Sequence, residues 1–168
     1  LSAAIAIGSK AFRELLSGAA MIDQHFRAQP LRDNLPAMLG LLAVWHQNFL
    51  GMRNHIVLPY DQRLQLLPAY LQQLFMESLG KSVRSDGSPV DYSTGCPLWG
   101  SVGSHAQHSF AQLLHQGNVK FHVDYIAAVN TQSMEDDAGQ RAGLANMLAQ
   151  AESLALGQSA ANIAAGMM

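Results

Sequence analysis

Residues 70–82 read YLQQLFMESLGKS, and they follow a short β-branched run, HIVLPYD, at residues 55–61. Apolar side chains recur along residues 70–82 at helical spacing, at Tyr70, Leu71, Leu74 and Phe75. Within residues 55–61, the β-branched and apolar run ends at Pro59, which predicts a short buried strand. A buried strand that leads into an amphipathic helix is the repeating unit of a parallel α/β sheet.

The alternation of strands and helices continues on both sides of this unit. Helical periodicity predicts further helices over 9–27, from 31 or 34 to 49, over 104–116 and over 136–156. Apolar runs predict strands over 96–100 and 119–129, and turn-forming residues predict an exposed excursion over 85–95. The predicted fold class is therefore α/β, a three-layer α/β/α sandwich with a mainly parallel sheet. We expect the Ala-rich residues 157–168 to form a frayed or disordered tail.

The second helix has an unusual composition. Its middle, Met38–Trp45, is apolar nearly all round, which predicts a helix buried on more than one side. The whole chain has only 13% charged residues, against about 25% in an average globular domain. We therefore expect much of its surface to be covered by something else.

Composition also limits the classes of function. A length of 168 residues suits a single domain, and a net charge of −2 with no run of Lys or Arg argues against a nucleic-acid partner. Cys96 is the only cysteine, so an internal disulfide is impossible and a reducing, cytoplasmic location is expected. No run approaches the roughly 20 apolar residues that span a bilayer, and LSAAIAIG at the start lacks the basic leader of a signal peptide. The chain begins with Leu rather than Met, which indicates a piece of a longer protein.

Polar groups on the helix of residues 70–82 are the first candidates for chemistry. Gln73, Glu77 and Lys81 lie four residues apart and thus on one face. A carboxylate on an otherwise apolar helix, with an amide one turn earlier, suits proton abstraction next to a carbonyl if it is held still and partly desolvated. The alternative is a solvated face with an ordinary Glu77/Lys81 ion pair, worth roughly 0.2–0.5 kcal/mol.

A second candidate lies in WGSVGSHAQH, residues 99–108. Ligands of doubly wound sheets bind at the carboxyl ends of the strands, so we expect this loop and LPYDQ at residues 58–62 to lie at the site. The imidazole of His108 suits proton transfer, although a loop histidine is more often a surface residue without a role. His105 and His108, with Cys96 as a third ligand, resemble half of a zinc site, but no fourth ligand is evident and no metal is expected.

Several ordered motifs of the chain resemble the glucose-6-phosphate isomerase family. They are LPYDQ at 58–62, PAYLQQLFMESLGKSV at 68–83, VDYSTG at 90–95 and WGSVGSHAQHSFAQLLHQG at 99–117. The resemblance also includes LSAAIAIG at 1–8, NLPAMLGLLAVWHQNFLG at 34–51 and LANMLAQAESLALG at 144–157. It covers nearly the whole chain but only part of the family's longer protein, because two diagnostic family segments, one upstream and one downstream, are missing.

The resemblance implies a single Rossmann-like sugar-isomerase domain and a role in glycolysis and gluconeogenesis. In such an enzyme Glu77 would move a proton between C2 and C1 of a sugar phosphate through a cis-enediol, without a cofactor. His108 would assist opening of the sugar ring, and Gln73 would contact the substrate. The family's histidine crosses a dimer interface, so the resemblance also implies a homodimer with shared sites.

The chain departs from the family at positions next to these residues. The family commonly has Asn at Leu79, Asn-Gly at His105-Ala106 and Tyr at Ala111. The departures are not at the proposed proton carriers, so we expect them to affect the rate or the substrate specificity rather than the chemistry itself. The alternative function is a non-catalytic module that binds a sugar phosphate and keeps the fold. The isolated piece is expected to be inactive, because the family's phosphate-binding loop belongs to another domain.

Overall fold

The computed structural model describes residues 2–129 and 137–157. They belong to two compact units, one within Leu1–Trp45 and the other within His46–Met168. The predicted single domain stays a prediction. The predicted helix and strand order is found in the described residues, and the tail beyond residue 157 lies outside them.

The first unit consists of helix α1, Ser2–Ala28, and the larger part of helix α2, Leu35–Asn48. α1 is interrupted at Gly8, whose φ of 80° lies in the left-handed region, so the regular helix begins near the predicted Ser9. The buried Asn34 side chain donates to the Phe26 carbonyl at 2.7 Å and accepts from the Ala37 N–H at 3.2 Å. Asn34 therefore caps α2 and ties it to the end of α1.

Burial of α2 differs from the prediction. Only Gln47 is buried in this helix, whereas Leu39, Leu42 and Trp45 are exposed by 61%, 43% and 51%. The prediction that Met38–Trp45 is buried on more than one side is therefore wrong for this structure. The reason is that an apolar surface all round a helix requires partners on several sides, and the described residues do not enclose it.

The second unit is built on a parallel sheet of three described strands, β1 (His55–Pro59), β2 (Leu98–Gly100) and β3 (His122–Ile126). The strand order is β2-β1-β3, with His55 beside both Leu98 and His122. β1 is central, and Ile56, Val57 and Leu58 are almost completely buried. This burial explains the continuous apolar run that predicted β1.

The two faces of the sheet are different because side chains alternate along a strand. Ile56 and Leu58 pack on one face with Ala106 and Leu114, and Leu154 also lies against this cluster. His55, His122 and Asp124 lie on the opposite face.

Helices cover both faces, which confirms the predicted α/β/α layers. Helix α3, Leu67–Leu79, packs on the face that carries His55, where the Phe75 ring meets the His55 ring edge-on at 6.2 Å between centroids. The other face is covered by α4 (Gly103–Gln107), α5 (Ala111–Gln116) and α6 (Asp137–Leu156). The predicted single helix over 104–116 is therefore two short helices, broken between residues 107 and 111.

Three histidines stack on the α3 side of the sheet. The His122 ring lies 4.2 Å from that of His55 and 4.6 Å from that of His46, which belongs to the end of α2. His55 Nε2 lies 2.6 Å from Asp124 Oδ2, whereas the Nδ1 atoms of His46 and His122 are buried without a hydrogen-bond partner in the described residues. The Asp124 carboxylate therefore hydrogen-bonds to only one of the three imidazoles in the stack.

This arrangement predicts a loss of stability in mild acid. Burial, with smaller contributions from His55 and His46, lowers the pKa of His122 from 6.5 to about 4. Between these pH values His122 is protonated in the unfolded chain but not in the folded chain. The free energy of unfolding therefore falls as the pH falls from about 6.5 to about 4. We expect the thermal midpoint of the His122→Phe variant to fall less over this range than that of the unsubstituted chain.

The matched control is His105→Gln, since His105 is exposed on α4 and outside the stack. This variant should keep the full acid dependence of the thermal midpoint. Parallel curves for His122→Phe and the unsubstituted chain would show that proton exclusion by His122 does not determine the acid response.

Candidate active site

Gln73 and Glu77 lie together on the exposed side of α3. One helical turn separates them, and Gln73 Nε2 donates to Glu77 Oε2 at 3.4 Å. Both side chains line a depression of about 260 Å³, together with Tyr70, Leu74 and Ser78. The structure therefore brings two of the three sequence-predicted site residues to one concave surface. Tyr70 and Leu74 were assigned from the sequence only to the apolar side of the helix, because periodicity does not reveal which apolar residues line a depression.

The carboxylate of Glu77 is not engaged by Lys81. Lys81 Nζ donates to the main-chain carbonyl of Glu77 at 2.5 Å, and among the described residues no ion pair joins the two side chains. The ordinary ion pair considered from the sequence is thus absent here. Glu77 is nevertheless exposed, in contrast to the partial desolvation that we expected, because α3 packs on the sheet through its other side.

His108 follows α4 directly and is exposed. It caps the helix with φ −99° and ψ 3°, and its N–H donates to the His105 carbonyl at 3.1 Å. The imidazole therefore stands at the break between α4 and α5, and it does not line the depression of Gln73 and Glu77. The helical pattern of the sequence did not predict this break.

Glu77 and His108 lie on opposite faces of the sheet, since α3 packs on the His55 face and the residues around His108, Ala106 and Phe110, pack on the Ile56 face. Phe75, two residues before Glu77, contacts His55, the first residue of β1. α4 begins three residues after Gly100, the last residue of β2. The loops within residues 58–62 and 99–108 follow β1 and β2 directly, so the expectation that they lie at the carboxyl ends of the strands is correct, whereas Glu77 itself lies near the first residue of β1. The reason is that α3 runs back along the sheet, and ten residues of helix cover about 15 Å.

The structure does not assemble the zinc ligands considered from the sequence. Cys96 is half-buried, and burial raises the pKa of its thiol, which disfavours the thiolate that binds metals. No group of three His, Cys, Asp or Glu side chains in residues 2–129 and 137–157 is arranged to hold a metal ion.

Comparison with known proteins identifies relatives along almost the whole chain. Residues 1–167 match the family model described as phosphoglucose isomerase. The chain is 52% identical to the glucose-6-phosphate isomerase of a Ruegeria species over 155 residues, which are 92% of this chain and 29% of that protein. It is 48% identical to the glucose-6-phosphate isomerase of Paraburkholderia phytofirmans over 159 residues, again 29% of the relative's length.

A solved structure shows the same fold. The crystal structure of a glucose-6-phosphate isomerase from Chlamydia trachomatis superposes with a TM-score of 0.77 and 39% identity, covering 89% of this chain and 29% of that one. The chain thus spans less than a third of the length of these relatives. None of the helices in the described residues is long and apolar enough to cross a membrane.

Proposed function

Because this chain belongs to the phosphoglucose isomerase family, we propose that it forms part of an enzyme that interconverts glucose 6-phosphate and fructose 6-phosphate. The observation that carries the proposal is the Gln73–Glu77 pair on α3, with an amide on its carboxylate and no ion pair to Lys81. An unpaired carboxylate can accept a proton, whereas one neutralised by a lysine is a weaker base. The non-catalytic alternative requires no such base.

The proposed chemistry follows from these groups. Glu77 takes the proton from C2 of the open-chain sugar, and the C2–H electrons form the C1=C2 bond of the cis-enediol intermediate with the negative charge on O1. The O2 hydroxyl proton passes to O1, and the same carboxylate returns its proton to C1 as the C2 carbonyl forms. The Gln73 amide holds one carboxylate oxygen, which leaves the other free to face the substrate. His108 moves the proton that opens the sugar ring. These steps require no cofactor.

Two copies of the chain supply one site in this proposal. A single copy holds Glu77 and His108 on opposite faces of its sheet, which supports a site that takes His108 from a second copy. A partner over the depression would also cover Tyr70 and Leu74, which are 62% and 45% exposed, and would desolvate Glu77. Desolvation makes a carboxylate a better base at neutral pH. A cytoplasmic location fits this sugar-phosphate chemistry.

The test is a chimera in which this chain replaces the matching segment of the Ruegeria enzyme. We expect the chimera to convert fructose 6-phosphate, with glucose 6-phosphate measured through a coupled dehydrogenase. The 168-residue chain alone is expected to give no turnover, because remote groups that grip a phosphate contribute to orienting the reacting carbons.

The outcomes separate the two proposed functions. A folded chimera that binds sugar phosphate without converting it would favour the non-catalytic module. Robust turnover by the 168-residue chain alone would contradict the claim that groups outside it are needed.

His108→Ala should affect the cyclic substrate most. If His108 opens the ring, its loss in the chimera lowers turnover of cyclic fructose 6-phosphate by about 10²-fold, as is typical for a lost acid–base group. Turnover of an open-chain analogue should fall much less. The measurement is the ratio of kcat/KM for the two substrates.

The matched control is His115→Ala, since His115 is also exposed but bonds Gln150 on α6 at 2.9 Å. It should leave the ratio unchanged. Equal losses on both substrates in His108→Ala would assign His108 to binding or orientation rather than ring opening.

A further inference from the structure

An aromatic ring supports the start of the helix that leads to His108. Tyr60 follows β1 directly, and Gly103 is the first residue of α4. A Cβ atom at Gly103 would lie 2.2 Å from Tyr60 Cζ and 2.3 Å from Cε2, which is impossible without displacement. The α-carbon of Gly103 therefore lies in contact with the Tyr60 ring.

The Tyr60 ring is itself held firmly. The Tyr60 N–H donates to the Ile126 carbonyl at 2.7 Å, which fixes its backbone to β3. The ring packs against the buried cluster of the sheet and lies 6.3 Å from the Tyr125 ring. Partial burial raises the pKa of the Tyr60 hydroxyl. Movement of the ring would disturb its packing against the buried cluster.

A short, rigid segment connects Gly103 to His108. The N–H groups of His105 and Ala106 both donate to the Val102 carbonyl at 2.9 Å. Val102 and Ala106 are buried, with exposed fractions of 6% and 3%. His108 follows this segment directly, so the position of His108 depends on the distance between Gly103 and the Tyr60 ring.

A second aromatic contact fixes the other side of the break. Phe110 follows His108 by two residues, and its ring meets the Trp99 ring edge-on at 4.7 Å between centroids. The Phe110 N–H donates to the Ala106 carbonyl at 3.1 Å. His108 is therefore exposed between two anchors, Tyr60–Gly103 before it and Trp99–Phe110 after it.

We propose that Tyr60 is a positioning residue for the isomerase reaction, and that it places His108 by supporting Gly103. The inference rests on the proposed function, in which His108 opens the sugar ring. It assigns no contact between Tyr60 and the substrate. The requirement is for a flat ring below Gly103 rather than for the Tyr60 hydroxyl.

The test uses variants of the chimera and compares cyclic with open-chain substrate. Gly103→Ala forces α4 away from the ring and should lower kcat on the cyclic substrate by about 10²-fold, the cost of a misplacement of about 1 Å. Turnover of the open-chain analogue should fall much less. Tyr60→Leu removes the support and should shift the substrate ratio in the same direction, and Tyr60→Phe should restore it because the ring is kept.

A double variant tests whether the contact itself matters. Tyr60→Leu makes room for a methyl group at residue 103, so the double variant should lose less than the product of the two single losses. Tyr92→Leu is the matched control, because Tyr92 is 58% exposed, and it should leave the ratio unchanged. Equal losses on both substrates, or strictly multiplicative losses, would overturn the positioning role.

A measurement on the 168-residue chain separates this inference from the proposed function. Protons above an aromatic face are shielded, so the Gly103 α-proton resonances should lie upfield and should move downfield in Tyr60→Leu. Unshifted resonances would refute the contact. An unsubstituted chimera that folds but does not turn over would instead refute the isomerase function, and with it the assignment of Tyr60 to that reaction.

Discussion

Glu77→Gln in the chimera is expected to lower turnover by at least about 10²–10⁴-fold, the usual cost of losing a general base. The amide oxygen of the new side chain can still accept from Gln73 Nε2, so the shape of the depression is kept. An amide cannot accept the C2 proton, however. Substrate KM should therefore change little while kcat collapses.

The decisive readout is solvent deuterium in the recovered sugar phosphate. The unsubstituted chimera should incorporate deuterium at the carbon that exchanges its proton, and Glu77→Gln should not. Glu152→Gln is the matched control, since Glu152 is an exposed glutamate on α6, and it should retain full exchange. Normal deuterium incorporation by Glu77→Gln would show that another group is the base.

Ile56→Ala is expected to destabilise the chain by about 2–5 kcal/mol, the usual cost of truncating a buried aliphatic side chain. Ile56 is completely buried on the central strand, beside Leu58 and Leu114 in the cluster of the second unit. The loss is a large part of the roughly 5–15 kcal/mol that stabilises a typical protein. The measurement is the free energy of unfolding from urea denaturation of the 168-residue chain.

Two further variants provide reference values for the loss in Ile56→Ala. Ile56→Val removes one methylene group and should cost only about 0.5–1.5 kcal/mol. Leu66→Ala truncates a side chain that is 75% exposed and should stay within about 0.5 kcal/mol. A cost for Ile56→Ala as small as that for Leu66→Ala would be incompatible with β1 at the centre of a packed sheet.

The order and type of the elements could be predicted because they depend on neighbouring residues. The apolar run of β1 and the helical spacing in α3 were both visible in the sequence, and both elements form where predicted within a few residues. The prediction of one helix over 104–116 is wrong because apolar periodicity does not detect a break that tertiary contacts stabilise. Tyr60 supports Gly103 at the start of α4, and the Trp99 ring contacts Phe110, the residue before α5.

For the site, the sequence by itself determined that Gln73 and Glu77 share one face of a helix, since their spacing equals about one turn. Only the tertiary structure decided that Glu77 and His108 lie on opposite faces of the sheet, and that His46, His55 and His122 stack on one of these faces. The physical reason is the distance along the chain over which each interaction acts. Helical spacing is set by backbone geometry within a few residues, whereas strand pairing and the direction in which α3 returns along the sheet bring together groups whose separation in sequence carries no information about distance.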